Sequence, residues 1–166
     1  MRRGVGCLAL SKKNKFEIDD RVWKKLQKKI AKAAVSHVRV GVLGESGDDV
    51  YDGSGATVLE IAAFHELGTA TVPERSFIRR TFRMEQDKLA RAINKLAQQI
   101  VTDKLTVEGG LNVLGTWGVS RIKNAIVSGP GIPPPLADST IEAKGSTRPL
   151  VDTGRLLNSI THSVER

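Results

Sequence analysis

Apolar positions crowd the first half of the stretch ATVLEIAAFHELGTATVPERSFIRR, residues 56–80, and charged ones crowd the second. Thr57 and Glu60 have the spacing of a capping box, in which hydroxyl and carboxylate each satisfy a free N–H at a helix start. A helix is therefore expected from about Val58. Ile61, Ala62, Phe64, His65 and Leu67 leave it almost no polar face, so it should be buried on most sides, by its own domain or by a neighbouring copy. Gly68 stands where a left-handed residue would close it. Pro73 donates no backbone hydrogen bond and confines Val72 to extended geometry, so the chain should cross over and open a second helix near Ser76. From there Phe77, Ile78, Phe82, Leu89, Ile93, Leu96 and Ile100 recur on one stripe, predicting one long helix over residues 76–105. Gly109 and Gly110 interrupt the pattern. Leu111, Leu114, Val119, Ile122 and Ile126 resume it.

Val38, Val40 and Val42 alternate with Arg39 and Gly41 as in a half-buried strand, and residues 159–164 alternate enough to pair antiparallel with it. Residues 45–55, ESGDDVYDGSG, read as an exposed loop. Pro130 and the run Pro133, Pro134, Pro135 force an extended connection. Ser139 with Glu142 predicts a second capping box for a helix over 140–144, and Asp152 or Thr153 a cap for a brief helix ending at Asn158. Near the N-terminus, Asp19 or Asp20 can cap a helix with Trp23, Leu26, Ile30 and Ala33 or Ala34 on one face. Together these predict an α+β fold: a small antiparallel sheet packed with several helices, one of them long. Residues 1–18 form a flexible basic arm and residues 19–166 one domain.

Charge sharpens this outline. The chain of 166 residues carries a net +8, and all of the excess lies in residues 1–32, which hold eleven Lys/Arg against three acids. Lys24, Lys25, Lys28, Lys29 and Lys32 fall on the polar face of the first helix. They form either a solvated face or a contact for DNA or an acidic partner; no interleaved aromatics support base stacking. Arg75, Arg79, Arg80 and Arg83 sit at a helix start, where the dipole disfavours cations, which suggests an acidic neighbour, an intersubunit ion pair or phosphate as well as a solvated cluster.

Catalytic chemistry finds no foothold. Cys7 is the only cysteine, so neither an internal disulfide nor a cysteine-based metal site can form. His65-Glu66 begins a zinc signature, but Thr69 occupies the second histidine position. Asp48, Asp49 and Asp52 lack calcium-loop spacing. Gly41-Val42-Leu43-Gly44 lacks the rest of a nucleotide loop, and no nucleophile elbow exists. No catalytic, cofactor or metal residue is assigned. The apolar run at residues 4–10 is followed by Lys12 and Lys13 where a signal peptide would be cleaved, and no stretch reaches the ~20 apolar residues of a membrane span. Trp117, between Gly115 and Gly118, reads as a core residue beside which another backbone could approach closely.

Four segments in order, VRVGVLGES, ATVLEIAAFHELGTATVPERSFIRRTF, LNVLGTWGVSRIKNAI and PPPLADSTIEAKGSTRPLVDTGRLLNSI, resemble the virion morphogenesis or tail completion family of tailed bacteriophages, the neck and minor tail proteins of the head–tail joint. The resemblance spans residues 38–160. It implies a non-enzymatic α+β structural protein without cofactors that assembles as a homo-oligomeric, hexameric ring and completes the tail for joining to the head. Its partners would be neighbouring neck and tail proteins. Separately from the resemblance, which does not reach the residues before Val38, the basic N-terminal segment suggests non-specific contact with packaged DNA or an acidic neighbouring ring. It would act in the virion and, during assembly, in the host cytoplasm. On this reading His65, Glu66, Arg75, Phe77, Arg79 and Arg80 are assembly residues, with Arg75, Arg79 and Arg80 aimed at a neighbour, and Pro149, Asp152, Thr153 and Gly154 shape the last turn. The alternative is a free nucleic-acid-binding protein using the basic N-terminal segment.

Overall fold

The computed structural model describes residues 20–50, 55–128, 131–145, 147–151 and 153–166. The basic arm over 1–18, Cys7, Asp19 and Asp152 lie outside the described residues. In chain order the elements are α1 (Asp20–Val35), β1 (His37–Val42), α2 (Glu45–Asp48), α3 (Val58–Leu67), α4 (Phe77–Met84), α5 (Gln86–Val101), α6 (Val107–Val127), α7 (Asp138–Lys144), α8 (Arg155–Ser159) and β2 (Ile160–Glu165). The fold is α+β and helix-rich, with the expected small sheet: β1 and β2 pair antiparallel, His37 opposite Glu165 and Val42 opposite Ile160. No described helix is long and apolar enough to cross a membrane.

The long helix is not the one the stripe predicts. The expected helix over 76–105 breaks at Glu85 (φ −103°, ψ 11°), which separates α4 from α5. Within α4 the Thr81 hydroxyl donates to the Phe77 carbonyl, a back-bond that bends helices. The longest helix is α6, with 21 residues, and it runs straight through Gly109 and Gly110. These glycines break nothing: a Cβ on Gly110 would lie 2.9 Å from the Ile100 side chain, so its lack of a side chain lets the end of α5 close onto α6, while Gly109 sits against Leu105 and Thr106 of the preceding turn. The true break precedes α6, where Asp103 takes a positive φ of 60° and the Thr106 side chain accepts from the Gly109 N–H.

Several caps also differ from expectation. The box of Thr57 and Glu60 is present in full. α7 instead starts at Asp138 with Ala137 as its cap residue, and α8 follows Gly154 (φ 80°), neither with a side-chain cap. The segment expected as a plain loop opens with the single turn α2, and Val50 bridges to Thr57.

One face of the sheet, with Val38, Val40 and His162, lies against α6 at Gly115 and Gly118. The core gathers at the far end of this contact, where Val42, Val58, Ala62, Phe77, Ile122, Ile126, Ile132, Leu150, Leu156 and Ile160 pack together. The two helical glycines thus admit side chains of the sheet, where the sequence suggested a backbone. Trp117 is half-buried beneath Arg121, whose guanidinium carbon lies 5.4 Å from the ring centre, so it is not the core residue expected. Helices α1 and α5 contain no fully buried residue, and Trp23, Ile30 and Ile93 remain 53%, 57% and 45% exposed.

A Cβ on Gly115 would fall 2.2 Å from His162 Cδ2, whereas on Gly118 the nearest atom, Val40 Cγ2, is 3.2 Å away. Gly115→Ala should therefore destabilise the fold by about 1–3 kcal/mol, and Gly118→Ala by less, in denaturant titrations. Combining Gly115→Ala with His162→Ala should recover part of the loss, because the clash partner is gone.

Candidate assembly surface

α3 and α4 are joined by a carboxylate. Glu66 is one of the three buried residues of α3, only 9% exposed, with Val58 and Ala62 on the same side. Its two oxygens accept from the Ile78 N–H (2.8 Å), the Arg79 N–H (2.9 Å), the Ser76 hydroxyl (2.9 Å) and Arg79 Nε (3.1 Å). Ser76 makes no side-chain cap of its own, so the cap of α4 comes from the helix before it. Two unpaired N–H groups and the positive end of the helix dipole are satisfied together. Burial by itself pushes the Glu66 carboxyl up, but the four donors outweigh it and hold the carboxyl below the ordinary carboxylate range.

The turn between these helices is equally determined. Gly68 has φ 77° and ψ 163°, a conformation other than the left-handed helical one expected, and a Cβ there would press the Glu74 backbone at 3.0 Å. The Arg75 N–H donates to the His65 carbonyl at 2.6 Å. Arg75 itself turns inward, 6% exposed, and its Nε and Nη2 donate to the carbonyls of Pro134 (3.0 Å) and Pro135 (3.1 Å). Burial lowers the pKa of its guanidinium, which still stays cationic.

The expected assembly residues therefore divide. Glu66, Arg75 and Phe77, the last wholly buried, build the domain, and His65 is half-buried beside them. Arg79 reaches the surface but is tied to Glu66 and Glu74 (2.9 Å). Of the three arginines expected to face a neighbour, Arg80 alone is exposed without an ion pair among the described residues; Arg83, one turn on, shares this state. The expectation that α3 is buried on most sides does not hold within one chain: Leu59, Phe64 and Leu67 are 48%, 42% and 65% exposed. Periodicity could not find this stripe, because both sides of α3 are apolar and Glu66 marks the buried side.

The lysines of α1 divide too. Lys25 and Lys29 both lie 2.9 Å from Asp103, and Lys32 lies 3.7 Å from Glu108. Lys29 also donates to the carbonyls of Ile100 and Val101, the negative end of α5. Hydrogen bonds from Lys25 and Lys29 hold the Asp103 carboxyl below its usual range. α1 thus docks along the edge of its basic face, with Lys24 and Lys28 left pointing to solvent. Among the described residues no cluster of His, Cys, Asp and Glu could hold a metal ion. Comparison with family models, with curated proteins and with solved structures gave no match.

Replacing Glu66 by Ala strands four donors at the start of α4 and should cost about 3 kcal/mol, read by denaturant unfolding. Because the folded carboxyl sits below its unfolded value, its stabilisation is complete above the unfolded pKa of about 4.3 and is lost as pH falls through the folded value. The difference in stability between wild type and Glu66→Gln should accordingly shrink on acidification below that pH. Arg75→Lys cannot span both proline carbonyls and should cost about 1–2 kcal/mol.

Proposed function

We propose that this chain is a non-enzymatic structural protein of a tailed-phage virion, forming a homo-oligomeric ring at the head–tail neck that completes the tail for joining to the head. The observation that carries the reading is the convergence of the segments on which the family resemblance rests. Glu66 of AFHELGT caps the helix of PERSFIRR, and Arg75 of PERSFIRR clasps the carbonyls of PPPL. Motif residues far apart in the chain thus serve one structural joint, as expected when a motif specifies architecture and not catalysis. The outward side of the same joint presents Leu59, Phe64 and Leu67, a stripe suited to a neighbouring copy. In this reading the chain works in the virion and in the host cytoplasm during assembly, with six subunits as the family resemblance implies.

The second reading, a free nucleic-acid-binding protein, keeps only Lys24 and Lys28 as unengaged lysines of the five on α1; Lys25, Lys29 and Lys32 have acidic partners within the chain. That distribution favours a structural use of the basic helix.

Native mass measurement should find a ring for the wild-type chain and only monomers for Phe64→Glu combined with Leu67→Glu, with thermal unfolding little changed because both side chains are exposed. Wild-type monomers under all assembly conditions would sink the proposal. In gel shifts, Lys24→Glu with Lys28→Glu should leave any DNA affinity nearly unchanged; a steep, salt-dependent loss would favour the second reading.

A further inference from the structure

Arg80 stands between two adjoining hollows on the surface made by α4, the end of α6 and the 131–135 segment. One, of about 310 Å³, is bordered by Met84, Glu85, Arg121 and Ala125. The other, of about 500 Å³, is bordered by Val127, Pro133, Pro135 and Arg148. Ile132, 4% exposed, lies in the floor of both. A third, with Glu74, Arg79 and Arg83, adjoins at Arg80 and Pro133. The result is a groove with an apolar floor and an arginine rim. Its wall at Pro134 and Pro135 is held by Arg75. Three of the five α1 lysines have acidic partners, whereas Arg80 and Arg83 have no ion pair among the described residues.

The chemistry of this groove selects its occupant. Arginine forks suit carboxylates. The apolar floor asks for an aliphatic side chain, which a nucleic-acid backbone does not offer. Glu85 Oε2 lies in the wall, buried and without a hydrogen bond, 3.9 Å from Arg121 Nε. A peptide N–H of a docked segment would satisfy it.

Such a segment is displayed elsewhere on this chain. Asp48 and Asp49 are exposed and form no ion pair among the described residues, and Val50 beside them is 58% exposed. Their base is pinned: the Asp49 carbonyl accepts from the Val58 N–H at 2.9 Å, and the Val50 carbonyl accepts from Arg155 at 3.0 Å. Two carboxylates and an aliphatic side chain on a fixed base complement an arginine rim over an apolar floor. We infer that the groove at Arg80 receives the Asp48–Asp49–Val50 segment of a second copy of this chain. Groove and segment are different surfaces, so the contact is head-to-tail, the kind that closes into a ring when the rotation permits. The inference rests on the ring reading above and supplies it with a directional contact.

The test uses the full chain and a fluorescent peptide of residues 45–55, ESGDDVYDGSG, followed by anisotropy. Binding should saturate, weaken as salt rises, and fall at least about tenfold in Arg80→Glu with Arg83→Glu, the equivalent of losing one good charge pair. A control peptide with asparagine at positions 48, 49 and 52 should not bind. In mass measurements, Asp48→Arg with Asp49→Arg and Arg80→Asp with Arg83→Asp should each stop assembly, and mixing the two should restore it. Peptide affinity unchanged by the arginine variants overturns the inference, as does a variant that loses a short DNA duplex but keeps the peptide. If the charge variants still form rings while Phe64→Glu with Leu67→Glu does not, the ring stands and this contact falls. A wild-type chain that never assembles overturns the ring and with it the second copy as occupant.

Discussion

A buried carboxylate at the start of α4 governs the shape of this protein. Placing Glu66 out of water costs several kcal/mol unless its oxygens are fully engaged. They are engaged, by two backbone N–H groups, a hydroxyl and a guanidinium. The geometry needed for those bonds allows little freedom in how α3 meets α4. It seats Phe77 in the core with no exposed surface. Arg75, one residue before the cap position Ser76, carries the constraint on to the proline segment, whose Ile132 also enters the core.

The second constraint is steric. With two strands among the described residues, the sheet depends on α6 to cover one face, and Gly115 and Gly118 let that helix come close enough for Val38, Val40 and His162 to fill the space over it. Beyond this contact the packing thins. α1 and α5 bury no residue fully, and α1 is held in part by lysines at the carbonyl end of α5. Ion pairs this exposed contribute little each, so this part of the domain owes its position to several weak terms acting together.

The surface left over is sorted by chemistry. An apolar stripe on α3, an arginine-rimmed groove beside α4 and a pinned acidic segment at the end of α2 are separate exposed features. They are the surfaces on which the proposed ring would rest, and the Glu66 joint fixes how α3 and α4 present them.

Local signals sufficed for the elements whose cause is local. Thr57 and Glu60 start α3 by hydrogen bonds three residues apart, and alternation at Val38, Val40 and Val42 makes a strand whatever surrounds it. The α+β class and the antiparallel partnership of the two strands followed from such patterns. The division of roles within the arginine and lysine clusters did not. Arg75 and Arg80 are the same residue type five positions apart, yet one clasps carbonyls nearly sixty residues away and the other faces open surface. Gly110 looks like a breaker and is a close-packing position, because the Ile100 side chain arrives from another helix. In these cases the deciding partner is distant in sequence, so only the folded chain could assign it. The sequence by itself determined the α+β class, the pairing of the two strands, the start of α3 and which residues carry charge. Tertiary structure decided where the other helices break and which of those charges are paired inside the domain and which stay exposed, because the deciding contacts come from residues distant in the chain.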